Sequence, residues 1–467
     1  MRQMKIHFLG ASRTTTGSMY LFEINGKQLL LECGLFQGHR DESTQRNCCF
    51  PFDPKRIDAV VLSHAHIDHA GNLPNLVKQG YDGPIHSTDA TQDLCAIMLI
   101  DSAHIQEQDA LFVSKWRAKK HQPPVEPLYR IVDAEKAVKQ FVPHKYEETF
   151  TVLDGVNVTF RDAGHILGSA QVILDFEEKG RKFRWLFSGD VGRGFDEILR
   201  DPIPVENVDY LQIESTYAGR EHAPRIDADA EITKLVNDAV FRRGKIIIPS
   251  FSVGRTQQIV YVLNQITLEG KLPRLPIYVD SPLSTHATEV YFKHPECYNE
   301  LITKLLKENQ NPFGMPNLTY ISAVEDSKRL NDNKNPMIII SASGMAEAGR
   351  IRHHLKNNIG DPKNLIFFIG YCAEGTLGAQ IIARKTPVNI FGDPYDVRAQ
   401  VVSMDTYSGH ADRTELKRYV ERISGDIRRV FCIHGEESQC LAHADTLKAM
   451  KPKAEVIVPK YLQTVEI

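Results

Sequence analysis

The sequence predicts an α/β protein: a sheet domain with functional strand tips, interrupted by a second, mostly parallel α/β block. Three observations predict it. Short apolar runs end repeatedly in ionisable residues, as buried strands do when they deliver side chains to a sheet edge. From Asp227 onward, strand-like and helical segments alternate, which implies right-handed crossovers and a mostly parallel sheet. Candidate ligand residues stop at Asp190 and resume only near His410, so the alternating block reads as an insertion into one ligand-bearing domain.

Taken in order, MKIHFLGA, SMYLFEI and KQLLLECG read as short strands. Asn25-Gly26 joins the last two and suits a type I′ hairpin turn, which needs positive φ at both central positions. IDAVVLSH, VNVTFRDAGH and FRWLFSGD are further strands with polar tips. SKWRAKKHQPPVE, residues 114–126, is the best candidate for an exposed segment. Asp227 to Arg243 has helical spacing, with Ile232, Leu235, Val236 and Val240 on one face and Gly244 just beyond. Strand-like KIIIPSF, helical VGRTQQIVYVLNQI and strand-like LPIYVDSP follow; MIIISAS, helical AGRIRHHLKNN and LIFFIGY repeat the alternation. The tail from Asp393 returns to strands and helices.

With 467 residues, 42% apolar and 25% charged, the chain can bury a large core, which excludes a disordered tail, a coiled coil and a small disulfide scaffold. No apolar run approaches the ~18 residues that span a bilayer, and the N-terminus turns polar too soon for a signal-peptide core. No membrane association and a cytoplasmic location are therefore expected. A net charge of −3 does not suit a protein that binds duplex DNA by its field alone. It leaves nucleic acid open, because bound metal ions add positive charge that composition omits. The eight cysteines are scattered, with Cys48 and Cys49 adjacent and no CxxC, so free thiols are expected.

The chemistry begins at His64-Ala65-His66-Ile67-Asp68-His69. Imidazole is the usual nitrogen ligand of zinc, and a carboxylate adds a hard oxygen. Alternate residues on an extended segment point the same way, so His64 and His66 can grip one ion while Asp68 and His69 face another. The bland alternative is a surface histidine cluster or a capping loop. His165 in DAGHILGSA, Asp190 in LFSGD and His434 in RRVFCIHGE stand at other strand tips and complete a ligand set. Asp190 as a helix cap is the competing assignment; as a ligand it would bridge two cations.

These motifs together resemble the metallo-β-lactamase fold, an αββα sandwich, and more closely its β-CASP branch of nucleases with their inserted α/β domain. HAHIDH matches the branch's HxHxDH signature, and DAGHILGS and FSGD match its next ligand motifs. Glu214 in IESTY, His410 in YSGHAD and His434 in CIHGE match its three specific motifs. GKIIIPSFSVGRTQ, YVDSPL, SASGM and GYCAEGTLG resemble other recurring segments, and the likeness covers nearly the whole chain. It implies a metallo-β-lactamase domain from 1–212 and 393–467, with a β-CASP domain at 213–392 closing over it as a lid.

The resemblance further implies two zinc ions, one held by His64, His66 and His165 and the other by Asp68, His69 and His434, with Asp190 bridging. A hydroxide between them would attack phosphorus, with Asp68 orienting it. His410 would be the general acid and Glu214 its orienting carboxylate; as alternatives, Glu214 caps a helix and His410 is a structural loop residue. Ser341, Ser343 and Gly344 of SASGM, placed between a strand and a helix, are candidates for gripping the RNA backbone. A tight strand-to-helix turn is the other reading. Arg255 and the run Arg350, Arg352, His353, His354 and Lys356 are candidate phosphate contacts or a solvated helix face. Lys115, Trp116, Arg117, Lys119 and Lys120 could stack a base or simply form an exposed helix face.

One residue departs from the pattern. Glu32 in LLLECG stands where the family usually has Asp, and an extra methylene there puts metal occupancy and rate in question. The expected function is a zinc-dependent ribonuclease acting on single-stranded RNA, with a homodimer as a candidate assembly. A DNA nuclease of the same branch, a small-molecule hydrolase and a non-catalytic RNA-binding scaffold are the alternatives. His434 speaks against the first, the insertion with Glu214 and His410 against the second, and the complete ligand set against the third.

Overall fold

The computed structural model describes residues 4–38, 40–178, 180–223, 228–370, 372–373 and 375–467. Asp227, Tyr371 and Glu374, which fall in segments interpreted above, lie outside them. The chain divides into two compact units, Met1–Glu221 with His410–Ile467, and His222–Gly409.

The first unit opens with β1 (Lys5–Phe8), β2 (Tyr20–Ile24), β3 (Lys27–Leu31), β4 (Ala59–Val61), β5 (Ile85–Thr88) and β6 (Phe141–His144). It continues with β7 (Thr149–Leu153), β8 (Val156–Asp162), β9 (Ala170–Glu178), β10 (Arg181–Phe187) and β11 (Tyr210–Glu214). The second unit holds β12 (Ile246–Pro249), β13 (Ile277–Val279), β14 (Leu318–Tyr320), β15 (Ile338–Ser341), β16 (Leu365–Ile369), β17 (Val388–Ile390), β18 (Asp393–Tyr395) and β19 (Gln400–Met404). The first unit then closes with β20 (Arg429–Ile433), β21 (Glu455–Ile457) and β22 (Gln463–Glu466).

Two seven-stranded sheets, ordered β22-β1-β2-β3-β4-β5-β6 and β21-β20-β11-β10-β9-β8-β7, build the first unit. Their facing sides share one core, including Phe8, Phe22, Leu31, Val158, Trp185 and Phe431. Alternation makes this possible: in β8, Val156, Val158 and Phe160 point inward at every second position. The indole of Trp185 stacks 5.2 Å from Phe431 and donates from Nε1 to Gln212 Oε1 at 3.2 Å, so its polar edge is satisfied inside the core. On the outer face of the second sheet, Leu211, Ile213 and Val430 pack with Leu416 and Val420 of helix Arg413–Glu421 and Leu447 of helix Glu437–Met450. The αββα layering follows.

In the second unit, β14-β13-β15-β12-β16-β19 form an all-parallel sheet. The runs Ile246–Pro249, Ile338–Ser341 and Leu365–Ile369 are buried at every position, as expected for strands covered on both faces. The expected boundary at 212/213 falls inside β11, which pairs with β10 and β20 of the first unit. The expected return at 393 precedes β19, which pairs with β16 of the second unit.

Candidate metal centre

Strands β10, β11 and β20 run parallel, and β8 shares their direction through antiparallel β9. Their C-terminal tips therefore open at one sheet edge. His165 follows β8, Asp190 follows β10, Glu214 ends β11 and His434 follows β20. From the other sheet, β4 leads into His64 and His66, and His66 caps the short helix Ile67–Ala70 that carries Asp68 and His69. Backbone contacts hold that helix: Ser18 N donates to Asp68 O and Cys33 N to His69 O, both at 2.8 Å. Gly34 permits the approach, since a Cβ there would lie 1.7 Å from the Asp68 carbonyl oxygen. Gly168, at φ +78°, pins the His165 loop: its carbonyl accepts from the Thr88 and Thr91 hydroxyls at 2.7 and 2.9 Å.

The donor atoms converge in two sets. His66 Nδ1 lies 3.1 Å from both His64 Nε2 and His165 Nε2. Asp190 Oδ2 lies 3.4 Å from those same two Nε2 atoms. Four ligands at ~2.0–2.1 Å from a tetrahedral ion stand about 3.3 Å apart, so these separations suit a cation at the centre. In the second set, His69 Nε2 and His434 Nε2 are 3.1 Å apart, Asp68 Oδ2 is 3.4 Å from His434 Nε2, and Asp190 Oδ1 is 3.4 Å from His69 Nε2. Asp190 thus turns one carboxylate oxygen to each set. Its buried Oδ1 has no hydrogen-bond donor among the described residues. All seven ligand candidates named from the sequence lie together, and this donor set fits divalent metal.

The ionisable groups of the two sets act strongly on one another. Burial pushes the Asp190 carboxyl up to about 7, with His434 and His410 pulling against it. Burial works against the His434 imidazolium, but Asp190 and Asp68 more than offset this and raise it to about 10. Burial and the neighbouring imidazoles hold His64 well below its usual value, which favours the neutral, metal-binding form. Glu214 is fully buried, and its two oxygens lie 3.2 and 3.3 Å from His410 Nδ1. Burial alone would depress His410, but Glu214 and Asp190 outweigh it and raise the imidazole above its usual value.

Glu32 is fully buried and reaches its partners despite the longer side chain. It accepts from Ser63 N at 2.6 Å and Ser63 Oγ at 3.0 Å, and lies 2.5 Å from His69 Nδ1. Ser63 Oγ is in turn 2.9 Å from His64 Nδ1. The extra methylene spans to Ser63, a residue the sequence pattern does not single out. Thr216, also unforeseen, places Oγ1 3.2 Å from His434 Nδ1 and donates to the His434 carbonyl at 3.2 Å. Its only sequence signal is its place two residues after Glu214. Glu32 and His434 adopt left-handed φ of 65° and 48°, costly for non-glycine residues and typical of functional positions.

Three family descriptions match the chain: metallo-beta-lactamase superfamily over residues 13–249, Beta-Casp domain over 256–381 and Zn-dependent metallo-hydrolase RNA specificity domain over 394–459. The chain is 37% identical to Ribonuclease TTHA0252 of Thermus thermophilus, covering 94% of this chain and 95% of that protein. The chain belongs to the β-CASP branch of the metallo-β-lactamase superfamily. It is also 29% identical to Transcription termination factor FttA of Methanocaldococcus jannaschii, over 99% of this chain and 72% of that one. A crystal structure of a protein of unknown function from Enterococcus faecalis V583 matches at TM-score 0.54 and 13% identity, covering 100% of both chains, and shares the fold. Metal binding is the family's property, and the His/Asp clusters fit it.

Within the β-CASP unit the structure corrects several sequence-based expectations. Ser341 is buried and its hydroxyl donates to the Asp280 carbonyl at 2.8 Å, so it ties two strand ends together instead of facing a ligand. The expected strand-to-helix turn at SASGM is a longer loop: the helix begins at Ile351, after left-handed Ala346 and Gly349 break the path. Ser343 is half-buried and its hydroxyl accepts from Glu347 N at 3.2 Å. Gly344 lies against Phe251, whose ring would be 2.7 Å from an added Cβ. Arg255 opens helix Arg255–Leu268 and bonds Gln258 through Nη1. Arg350 and His354 of the basic run are internal: Asp280 accepts from Arg350 Nη1 at 2.6 Å and lies 2.6 Å from His354 Nε2. In the first unit, helix Asp89–Ala118 carries the first part of the 114–126 segment, and Lys120 Nζ sits 3.6 Å over the Trp116 ring.

Proposed function

We propose that the chain is a zinc-dependent ribonuclease that hydrolyses phosphodiester bonds of single-stranded RNA. The carrying observation is the split of Asp190: one carboxylate oxygen faces His64, His66 and His165, the other His69, with His434 and Asp68 alongside. This supports two zinc ions, with His64, His66, His165 and Asp190 holding one and Asp68, His69, His434 and Asp190 the other. When bound, such a pair supplies Lewis-acid activation of water at neutral pH and positive charge opposite a phosphate. The 37% relative named a ribonuclease and the RNA-specificity description of residues 394–459 support RNA as the substrate.

The protein's own residues then perform the proton work. Glu214 engages His410 at Nδ1, which makes Nε2 the atom from which a proton passes to the leaving oxygen. The upward shift that Glu214 and Asp190 impose on His410 against burial favours its protonated form, as a general acid requires. Glu214 accepts from Val191 N at 2.6 Å, and Glu214 N donates to Ser188 Oγ at 3.1 Å, so the carboxylate that orients His410 is itself fixed. Asp68, held below its usual pKa by its hydrogen bond to His434 against the pull of burial, stays ionised and orients the attacking water. Ser343, Gly344 and Arg255 are the proposed backbone contacts of the β-CASP unit; the ring of Phe251 leaves no room for a side chain at Gly344.

The test uses end-labelled single-stranded RNA and a matched DNA strand with the zinc-loaded protein, beside His410→Ala. We expect RNA cleavage by the wild type, loss of about two orders of magnitude or more in the variant, and unchanged zinc content. Wild-type rates in His410→Ala would remove His410 from the mechanism. Preference for the DNA strand would overturn the substrate.

A further inference from the structure

We propose that the β17–β18 hairpin tip and the outward face of helix Ile351–Asn358 form a second binding site for single-stranded RNA. Phe391 stacks a base, and Arg352 and Lys356 hold neighbouring phosphates, with the neutral His353 ring beside them. The choice of occupant rests on the ribonuclease reading; the site itself rests on the following geometry.

The hairpin pairs Ile390 with Asp393, leaving Phe391 and Gly392 as a two-residue turn. Their φ values are 56° and 92°, the left-handed pair of a type I′ turn. Such turns are filled by Asn-Gly or Asp-Gly, because a bulky side chain is strained there. Phenylalanine is therefore the wrong residue for the backbone. It does not serve the core either: the ring is 43% exposed, and a Cβ at Gly392 would meet nothing within 4 Å, so the tip stands clear of the fold. A strained, exposed aromatic that the turn disfavours and that packs on a basic helix face instead of in the core points to a ligand.

The helix beside it supplies charge. Arg350 and His354 turn inward onto Asp280 and anchor the helix. Arg352, His353 and Lys356 occupy the other faces, His353 and Lys356 exposed and Arg352 half-buried. The Arg352 guanidinium carbon lies 4.3 Å from the Phe391 ring centre, and the His353 ring centre 4.6 Å from it. Lys356 Nζ is 5.9 Å from the Tyr395 ring centre. Among the described residues neither Arg352 nor Lys356 forms an ion pair, and Asp396 is already engaged by Arg398 at 3.0 Å. Burial, then the charges of His354, Arg352, Lys356 and Lys328, hold His353 below its usual pKa, as expected where cations share one patch.

Exposed aromatics interleaved with cations are how proteins hold single strands without regard to sequence: every base has a π-face, and every linkage a charge. The patch lies in the β-CASP unit, on elements that carry none of the metal-donor residues.

Phe391→Asn tests this cleanly, because Asn-Gly suits the turn and the variant should fold at least as well. Anisotropy of a labelled oligouridylate is measured with the full chain in chelator, so nothing is cleaved. Phe391→Asn should weaken binding about five-fold or more. Arg352→Gln with Lys356→Gln should lower the slope of log affinity against log salt by about 1.4, from ~0.7 per phosphate contact in single strands. Wild-type affinity in Phe391→Asn, no RNA binding by the wild type, or self-association that depends on Phe391 without RNA binding would each overturn the site. Zinc-loaded hydrolysis of RNA and of bis(p-nitrophenyl) phosphate is read in parallel. A wild type that hydrolyses neither sinks the ribonuclease reading, while Phe391-dependent RNA binding would still support the site.

Discussion

Glu32→Gln should weaken metal binding at both donor sets without weakening the fold. One buried carboxylate orients two imidazoles, His69 directly and His64 through the Ser63 hydroxyl. Both are thereby set with Nδ1–H toward Glu32 or Ser63 and with Nε2 toward the other donors. An amide in place of the carboxylate turns its NH2 toward either His69 Nδ1–H or the Ser63 donors, and a donor then faces a donor. An unsatisfied buried donor costs about 1–3 kcal/mol. At ~1.4 kcal/mol per decade this is roughly 5- to 150-fold in affinity, which brackets the ~10–100-fold usual for groups that orient metal ligands. Burial pushes the Glu32 carboxyl well above its usual range, which favours its neutral form; without metal His69 can carry its proton on Nε2 and accept at Nδ1 from that form or from the amide, so the clash arises only when Nε2 must bind metal. The assay is zinc competition against a chromogenic chelator, with thermal melts in excess chelator as the control for folding. Glu32→Asp, too short to reach both Ser63 and His69, should weaken one class of site more than the other. Wild-type affinity for every zinc equivalent in Glu32→Gln would refute the shared-orienter reasoning.

Two further outcomes are expected. Thr216→Val keeps the shape but removes the Oγ1 partner of His434 Nδ1, so one zinc equivalent should bind about ten-fold or more weakly by the same competition assay, while the other is unchanged. Equal loss at both, or at neither, would contradict that assignment. Acid sensitivity should trace in part to His443, which burial holds down to about 4, against 6.5 in the unfolded chain, despite the upward pull of Glu214. Between those values the unfolded state binds more protons, so stability is complete above 6.5 and is lost as pH falls toward 4, by up to about 3 kcal/mol. His443→Leu should flatten the fall in urea midpoint between neutral pH and about pH 5 in chelator. An unchanged fall would assign that sensitivity elsewhere.

What the sequence made legible was the strand tips. His64 to His69, His165, Asp190 and His434 each follow an apolar run, and parallel strands force such tips to one edge. The turn at Asn25-Gly26 was equally legible, with φ of 53° and 82°. Hidden was whatever depends on reach or on which way a helix faces. Glu32 looked one methylene too long because its acceptor role toward Ser63 involves a residue 31 positions away. Arg350 and His354 looked like phosphate contacts because Asp280 lies 70 and 74 positions upstream. A finer signal existed there: they stand four apart, His354 on the side of the helix where Ile351, Leu355 and Asn358 are buried and Arg350 at its N-cap above that side, so periodicity assigns them to the inner face.

That distinction separates the two classes of buried charge in this molecule. Asp280 is fully buried, yet it meets Arg350, His354 and Ser327, so its charge is balanced by the protein itself and its role is to hold strands and helix together. Asp190 is just as deep, but its partners are imidazoles whose ring nitrogens face one another at 3.1 Å, and one of its oxygens has no hydrogen-bond donor among the described residues. Ring nitrogens that converge in this way from separate segments present a set of donor atoms spaced for one ion. An isolated buried carboxylate is paid for only by a partner of opposite charge. Where hydrogen-bonded cationic side chains close the set, as at Asp280, the cluster is architecture; where a carboxylate oxygen is left without a donor among converging ring nitrogens, as at Asp190, the cluster suits a metal cation.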